Sequence, residues 1–228
     1  MWSRNELKTS AKQLLKLNYW KAVLVGIVLS LLQASGGSAA KGSDLSSSIT
    51  SLNYVSPTLW IAAAVFVIIL LILRILLWNP LEVGCQRFYL NCKTDNSTLK
   101  DMLFAFKNHY AHIGVVMLFR TVFLLLWSLL LIIPGIVKAY EYMMIPYILA
   151  DDPSISRTDA FSQSKAMMDG NKWNAFVLDL SFIGWILLSS VTLGIVGIFY
   201  TTPYIHLTHA ELYHSLKAQC ANPTVTEM

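Results

Sequence analysis

Charged residues are scarce in this chain of 228 residues. Asp, Glu, Lys and Arg together make up 13% of the sequence, whereas hydrophobic residues make up 55%. An ordinary soluble domain carries roughly 25% charged residues, and charged side chains cover much of its surface. The composition therefore excludes a soluble globule and indicates a protein of the lipid bilayer.

Cysteines and catalytic motifs are also scarce. The three cysteines, Cys85, Cys92 and Cys220, have no CxxC spacing, which excludes a zinc knuckle. All three fall on the predicted cytoplasmic side, where thiols stay reduced, so we predict no disulfide. The sequence contains no nucleophile elbow, phosphate-binding loop or dinucleotide-binding fingerprint. We expect no catalytic residue, no cofactor and no enzymatic activity.

Long apolar runs are abundant. Two of them, Pro57 to Trp78 and Ile113 to Ile133, match the roughly 20 residues of a simple spanning helix. The other runs are shorter, so they would tilt or lie in pairs. The pattern predicts an all-α polytopic membrane protein with about six transmembrane helices, arranged as three helical hairpins, each preceded by a cytoplasmic amphipathic helix. The six runs are 19–33, 57–78, 113–133, 136–150, 175–191 and 194 to about 208.

Lysine and arginine are distributed unevenly between the two ends of these runs. In the loops on one side, Lys41 is the only lysine or arginine. The positive-inside rule then places both termini in the cytoplasm of a plasma-membrane protein. The formal net charge of +4 is in this view a topology signal and does not indicate nucleic-acid binding. The predicted cytoplasmic charges are Arg4, Lys8, Lys12, Lys16, Lys21, Arg87, Lys93, Lys100, Lys107, Arg157, Lys165, Lys172 and Lys217.

The N-terminus has a second interpretation. Its lysines, the apolar run from Ala22 to Leu32 and the small-residue tract from Ala34 to Gly36 also fit a cleaved signal peptide. The charged leader is long for a signal peptide, and the segment takes part in an internal repeat. We therefore expect it to belong to the mature chain.

The internal repeat divides one domain, 1–228, into units of about 3–90, 97–152 and 156–216. Each unit reads as an amphipathic helix, a span, an outer turn, and a second span with a proline near its cytoplasmic end. We expect that proline to bend the helix and turn the chain back along the surface. Residues 34–56 read as a flexible polar outer loop. A weaker copy begins at Thr98, and the strongest matches are Ser3 with Ser156, Arg4 with Arg157, Glu6 with Asp159, Lys12 with Lys165, Asn18 with Asn171 and Trp20 with Trp173.

The first amphipathic helix has a basic face and an apolar face. Its basic face is predicted to contact anionic headgroups of the cytoplasmic leaflet, and its apolar face is predicted to face lipid. A membrane-protein partner or a homo-oligomer would also suit a chain without a soluble domain. The basic residues are Arg4, Lys8, Lys12 and Lys16, and the apolar residues are Leu7, Ala11, Leu14 and Leu15.

A set of glycines, prolines and aromatic residues, concentrated between residues 168 and 213, resembles a family of uncharacterised bacterial integral membrane proteins, the domain-of-unknown-function family nine-seven-five. The resemblance implies a multi-pass plasma-membrane protein and supplies no catalytic residue. The residues that carry it include Asn79, Pro80, Pro146, Tyr147, Gly170, Lys172, Trp173, Gly184, Trp185, Gly194, Pro203 and Tyr204.

A few charged residues lie in or beside the apolar runs. A charge at bilayer depth costs several kcal/mol unless it reaches the interface or finds a partner. We predict an ion pair between Arg120 and Asp179, and a second pair between Lys138 and Glu141, which share a helical face. Such charges either fix the register of the helices or line a path for an ion or solute. The candidate network consists of Arg74, Arg120, Lys138, Glu141, Asp179 and Glu211.

Histidines cluster near the end of the last apolar run. His206 and His209 are three residues apart on one helical face, so a metal site is conceivable. The spacing is not that of an HExxH site, and hydrogen bonding at the membrane interface also accounts for these histidines and for the nearby His214. We favour the interfacial interpretation and predict no metal.

Three functions remain open. The first is a non-enzymatic membrane scaffold or interaction protein, which the absence of motifs favours. The second is a small transporter or channel for an ion, small solute or lipid, which the repeat and the buried charges favour. The third, an intramembrane metal-dependent enzyme, rests only on the histidines. A polar cavity that reaches Arg120 and Asp179 would favour transport, and a dry bundle with paired charges would favour the scaffold.

Overall fold

A computed structural model describes residues 2–37, 61, 65, 77–94, 97–107 and 109–221. Within these ranges the chain is helical and contains no strand, so the predicted all-α class is confirmed. Arg74, most of the second predicted span and the outer loop beyond Gly37 lie outside the described residues.

The described helices follow the chain from Arg4 to Ala221. Short 3₁₀ segments cover Cys92–Thr94 and Leu99–Leu103, and a π-helical segment covers Gly197–Thr201. The α-helices are α1 Arg4–Leu17, α2 Tyr19–Gly37, α3 77–91, α4 Phe104–Lys107, α5 Tyr110–Leu130, α6 Ile132–Glu141, α7 Ile145–Asp151, α8 Arg157–Met168, α9 Lys172–Leu180, α10 Ile183–Val191 and α11 Thr202–Ala221.

Side-chain caps begin the two helices that the sequence matches most closely. The Ser3 hydroxyl accepts a hydrogen bond from the Glu6 amide at 3.2 Å, and the Ser156 hydroxyl accepts one from the Asp159 amide at 3.1 Å. Each bond satisfies an amide that has no partner inside its helix. Ser3 and Ser156, which the sequence match pairs with each other, thus cap α1 and α8 in the same way.

Each predicted unit contacts the segment that precedes the surface helix of the next unit. In each case the contacting residue lies near the start of the unit's first span. The first unit contacts the second, the second contacts the third, and the third returns to the first, so the contacts close a ring. The repeat itself stays a prediction, with this ring in its favour. The three contacts are Lys21 Nζ to the Ser97 carbonyl at 3.2 Å, His112 Nε2 to the Ile155 carbonyl at 2.6 Å, and Trp2 Nε1 to Asn171 Oδ1 at 3.0 Å.

Two helical segments among the described residues are long and apolar enough to cross a membrane. They are Tyr110–Leu130 and Lys172–Val191, and only 17% of each apolar window is buried by the rest of the protein. A core helix of a soluble protein would be mostly buried. These two segments instead leave their apolar side chains uncovered within the described structure, as a lipid-facing helix does.

The fourth predicted span, 136–150, is not one helix, so that prediction is wrong. α6 ends at Glu141, and α7 starts at Ile145 with Pro146 in its first turn. Proline suits the first turn of a helix because its missing amide would have no partner there. The break also lets Arg120 Nε donate to the Tyr142 carbonyl at 3.1 Å. Most of α7 is buried in protein rather than exposed to lipid.

The last helix does not turn back at its proline, which corrects a second expectation. Pro203 follows the π-helical segment Gly197–Thr201, and the chain continues as α11 to Ala221. A proline ring clashes with the carbonyl one turn before it in a regular α-helix. The wider π turn relieves that clash, so the helix passes the proline without ending.

The apolar face of α1 meets protein rather than lipid, so the predicted lipid-facing stripe is wrong. Leu7, Ala11 and Leu15 are buried in the main hydrophobic core. α1 packs along α11, and the continuation of α11 beyond Pro203 provides the surface that covers this stripe. The basic residues of α1 lie on its other faces.

We predict that Gly84→Ala lowers stability by about 1–3 kcal/mol, the usual cost of inserting a methyl group into a packed site. Gly84 lies in α3 against the 3₁₀ segment Leu99–Leu103. A Cβ there would lie 1.9 Å from the carbonyl oxygen of Met102 and 2.6 Å from its carbonyl carbon. Because the clash is with backbone, no rotamer change can relieve it. Thermal unfolding of the purified protein in detergent measures the loss.

Gly114→Ala is the matched control. Gly114 lies inside α5, and nothing comes within 4 Å of the position of its Cβ. Alanine also favours a helix over glycine by about 1 kcal/mol. The control should unfold at the wild-type temperature or above it, and an equal loss in both variants would contradict the close approach at Gly84.

Candidate functional site

A pocket of about 320 Å³ lies where α3, α5, α6, α7, α9 and α11 meet. Charged and polar side chains line it, although most of its surface is apolar. Both Arg120 and Asp179 line it, and so do two of the histidines. Its lining consists of Glu82, Gln86, Arg120, Ala139, Tyr140, Met143, Pro146, Tyr147, Asp179, His206 and His209.

Arg120, which lines the pocket, is held by two acceptors. Its Nη1 lies 3.5 Å from Oε1 of Glu82, and its Nε donates to the Tyr142 carbonyl. Glu82 lies on α3, so the ion pair joins α3 to α5. The side chains of Arg120 and Glu82 both remain partly exposed to the pocket.

Asp179, which also lines the pocket, is held by two donors. Nε2 of His209 lies 2.7 Å from Oδ1, and the hydroxyl of Tyr140 donates to Oδ2 at 3.0 Å. These contacts join α9 to α11 and α6. Each carboxylate oxygen thus has one partner, although an unprotonated carboxylate can accept about four hydrogen bonds in all.

The predicted ion pair between Arg120 and Asp179 is wrong. Arg120 pairs with Glu82, and Asp179 pairs with His209, so the two residues line one pocket without neutralising each other. Sequence reasoning overlooked Glu82 because it follows the second apolar run and therefore did not count as an intramembrane charge. The sequence feature that could have identified Glu82 is its position two residues after Pro80, close to the end of the apolar run.

Gln86 is a pocket residue that the sequence did not reveal. Its side chain is 4% exposed, and Oε1 has no hydrogen-bond partner. Its Nε2 lies 3.5 Å from Nδ1 of His206, whose ring stacks on Tyr89 at 5.5 Å. A buried acceptor without a partner costs about 1–3 kcal/mol. This oxygen has almost no accessible surface, so a donor in the pocket would reach it only after a small movement of the Gln86 side chain.

The pocket contains more carboxylates than guanidinium groups. The carboxylates of Glu82 and Asp179 line it together with one guanidinium, that of Arg120, and the imidazole of His209 contacts Asp179. The hydroxyls of Tyr140 and Tyr147 add dipoles but no charge at neutral pH. Together with the free acceptor of Gln86, this arrangement suits a ligand that is positively charged and rich in N–H donors.

Glu141 forms a separate charged cluster outside the pocket. Its carboxylate lies 2.8 Å from Nζ of Lys138 and 3.1 Å from Nζ of Lys172, so the predicted pair of Lys138 and Glu141 is confirmed. Ser164 donates to the Glu141 carbonyl at 2.7 Å. The cluster therefore ties α6 to both α8 and α9.

Glu211 also lies outside the pocket. It is buried on α11, and its carboxylate lies 3.0 Å from Nζ of Lys93. The third predicted histidine, His214, contacts the Leu90 carbonyl at 3.4 Å, and burial lowers the pKa of His214. Within the described residues no three His, Cys, Asp or Glu side chains are placed to hold a metal ion.

The family-signature residues occupy turns and packing sites. Gly170 and Gly194 have φ values of 68° and 87°, a left-handed conformation that glycine adopts without strain. Trp185 packs on Tyr200 with ring centroids 4.8 Å apart. Asn79, Pro80, Pro146, Tyr147, Pro203 and Tyr204 lie in α3, α7 and α11, Lys172 and Trp173 begin α9, and Gly184 lies in α10.

The basic residues of α1 differ in exposure. Lys8 donates to the Ser181 carbonyl at 3.4 Å and lies 4.4 Å from the ring centroid of Phe182. Partial burial, together with the charges of its neighbours Lys12 and Arg4, lowers the pKa of Lys8. Arg4, Lys12 and Lys16 are exposed. Their predicted contact with anionic lipid stays a prediction.

We predict that Glu141→Gln destabilises the protein by about 2–4 kcal/mol, because removal of one partner leaves the other charges of a buried cluster uncompensated. The estimate lies below the cost for a fully buried pair, since both lysines retain some exposure. The measurement is thermal unfolding in detergent at constant salt.

Glu6→Gln makes the same chemical change at an exposed position of α1. It removes only a favourable first-turn charge, worth a few tenths of a kcal/mol. Wild-type stability in Glu141→Gln, or an equal loss in the two variants, would show that the cluster does not hold the three helices together.

The comparisons with known proteins bear on one part of the chain. No curated protein and no solved structure gives a significant match. The matched family segment, residues 129–220, contains Asp179, His206 and His209, whereas Glu82, Gln86 and Arg120 precede it. Over residues 129–220 the chain matches the family described as a protein of unknown function, DUF975, which confirms the resemblance noted in the sequence.

Proposed function

We propose that this chain is a multi-pass plasma-membrane protein that binds a small, amine-bearing cation in the pocket lined by Arg120 and Asp179 and transports it across the bilayer. The observation that carries the proposal is Gln86, a buried pocket residue whose carbonyl oxygen has no partner. After a small rotation of the Gln86 side chain, an ammonium group would satisfy this oxygen and lie beside the carboxylates of Glu82 and Asp179.

The size of the pocket limits the ligand. Pockets for small molecules usually enclose about 300–1,000 Å³, and this one, at about 320 Å³, is near the lower limit. It would hold a short alkylamine or a diamine rather than a peptide or a lipid. Tyr140, Tyr147 and Pro146 provide an apolar wall for the carbon chain of such a ligand.

The position of the pocket supports transport over simple storage. It lies between helices from all three predicted units, and transporters commonly bind their substrate where repeated units meet. Asp179 lies in Lys172–Val191, and Arg120 lies in Tyr110–Leu130. Among the described residues these are the two segments apolar enough to span a membrane. Charges on such segments mark solute pathways more often than charges elsewhere.

Ligand binding can be tested with simple amines. Methylammonium and putrescine, as chloride salts, should raise the unfolding temperature of the purified protein, whereas sodium acetate and malonate at equal ionic strength should not. Asp179→Asn should weaken amine binding at least about tenfold, because it removes a charge worth about 1.5–3 kcal/mol. Amines that bind would then be tested for uptake into proteoliposomes.

Asp169→Asn is the matched control, since Asp169 is exposed and lies outside the pocket. It should bind amines as the wild type does. Met143→Trp, which fills the pocket without changing its charge, should also abolish binding. Stabilisation by the carboxylates but not by the amines, or equal binding by Asp179→Asn and wild type, would overturn the proposal.

The cytoplasmic location of the C-terminus is tested by cysteine labelling. Cys220 is exposed, whereas Cys85 is buried, and burial, with a smaller effect from the Glu82 carboxylate, raises the pKa of Cys85 to about 12. At pH 8 only ~10⁻⁴ of such a thiol is the reactive thiolate. A membrane-impermeant maleimide should label Cys220 in inside-out vesicles and not in intact spheroplasts.

Cys220→Ser provides the control for this labelling. Cys220→Ser should abolish maleimide labelling of the folded protein. Denaturation in detergent should expose Cys85 and Cys92 to labelling in both the wild type and the variant. Labelling of Cys220 in intact spheroplasts would contradict a cytoplasmic C-terminus. Labelling of folded Cys220→Ser would contradict the burial of the other two thiols.

A non-enzymatic scaffold is the second candidate, and one observation favours it. Every charged side chain that lines the pocket has an intramolecular partner, namely Glu82 for Arg120 and His209 for Asp179. Charges that only fix helix register would show this arrangement. If the protein is a scaffold, Asp179→Asn should have no effect on solute uptake. Chemical cross-linking in membranes should then identify a partner subunit.

A further inference from the structure

An apolar groove of about 360 Å³ lies between α6 and the start of α9, apart from the pocket of Arg120 and Asp179. Its walls are aliphatic and aromatic, and a single ammonium group, that of Lys172, stands at one end. Tyr140 lines both the groove and the pocket and therefore separates them. The groove is lined by Ile133, Ile136, Val137, Tyr140, Lys172, Trp173 and Phe176.

The groove is uncovered in the described part of the chain. Ile133 is 77% exposed and Trp173 is 71% exposed. Trp173 lies in Lys172–Val191, a candidate membrane-spanning segment whose apolar side chains are mostly uncovered in the described structure, and Ile133 lies in α6. Apolar surface of this kind needs an apolar partner, and in a bilayer the partner available at highest concentration is lipid.

The charge beside the groove selects among lipids. Lys138, Glu141 and Lys172 sum to +1, because one buried carboxylate serves two ammonium groups. The lysine side chains remain 24% and 30% exposed. Each ammonium has three N–H donors and uses one on Glu141, so donors remain for a phosphate. A zwitterionic headgroup would bring its own cation close to these lysines.

The groove is oriented as a lipid would require. Lys172 and Trp173 begin α9 beside Glu141, the last residue of α6, and Ile133 lies near the other end of α6. From Tyr140 back to Ile133 the helix rises about 10 Å at 1.5 Å per residue. A lysine and an exposed tryptophan lie at one end of the groove, and apolar residues follow. A lipid headgroup would therefore lie at the lysine while its acyl chain runs along the groove.

We infer that this groove binds one anionic phospholipid, with its phosphate on Lys172 and one acyl chain along Ile136, Val137 and Phe176. Lys138 adds a second positive charge nearby, through their shared partner Glu141. Phosphatidylglycerol has the required negative charge and no amine to repel the lysines. This site uses neither Arg120 nor Asp179, so it does not depend on the proposed binding of amines.

Native mass spectrometry of the purified full-length protein tests the site. The protein would be equilibrated with mixed micelles that contain equal amounts of phosphatidylglycerol and phosphatidylcholine. We expect one bound phosphatidylglycerol, retained about tenfold more than phosphatidylcholine, which corresponds to one favourable charge-assisted contact. Equal retention of the two lipids would overturn the proposal. An increase in unfolding temperature with inorganic phosphate alone that equals the increase with phosphatidylglycerol would overturn it as well.

Two variants separate the headgroup contact from the groove. Lys172→Gln removes the ammonium while Glu141 keeps Lys138 as its partner, so the preference for phosphatidylglycerol should disappear. Ile136→Trp fills the groove without a change in charge and should abolish retention of either lipid. Lys165→Gln, an equivalent change at an exposed position of α8, should retain the wild-type preference.

The unfolding temperature without lipid establishes whether each variant is folded, and Ile136→Trp provides the test if Lys172→Gln fails to fold. Wild-type lipid retention in Ile136→Trp would show that lipid binds elsewhere and would overturn the assignment. Loss of the preference in Lys165→Gln would do the same, because it would show that general positive charge selects the lipid.

Discussion

The cost of an unpaired charge in an apolar surrounding is the constraint on which this structure depends. Arg120, Glu141 and Asp179 each lie in an apolar helix, and each has an oppositely charged or titratable partner within 4 Å. Lys138 shares α6 with Glu141, whereas Glu82, Lys172 and His209 come from different helices than their partners, so these three pairs also join two elements. Pairing therefore determines which faces of the helices meet, and it does so with a specificity that aliphatic packing lacks.

These pairs divide the interior of the protein into two chemical environments. Around Glu141 the carboxylate is buried between two lysines, and the result is a closed junction of α6, α8 and α9 with an apolar groove beside it. Around Arg120 and Asp179 the two pairs line one pocket and remain partly exposed. The first arrangement stabilises the fold, and the second leaves room for a ligand.

Several features could be predicted from residues that act locally. The caps at Ser3 and Ser156 and the pair of Lys138 with Glu141 depend on neighbours within three residues, and the structure contains all of them.

Predictions that involved distant residues were less successful. Arg120 found Glu82 instead of Asp179, and α1 packed on α11 instead of lipid, because the available partner depends on how separate helices are arranged. Proline illustrates the same limit: Pro146 begins a helix, whereas Pro203 lies within a continuous one after a π turn.

The sequence by itself determined the helical class, the apolar segments, the capped helix starts and the family resemblance, since each follows from composition or from short-range spacing. Tertiary structure alone decided that Gln86 is buried with a free acceptor, that Tyr140 stands between the pocket and an apolar groove, and that Lys172 shares Glu141 with Lys138. The physical reason is that burial and charge pairing are properties of neighbours in space. A glutamine in α3 becomes a buried pocket residue only when helices far along the chain close around it.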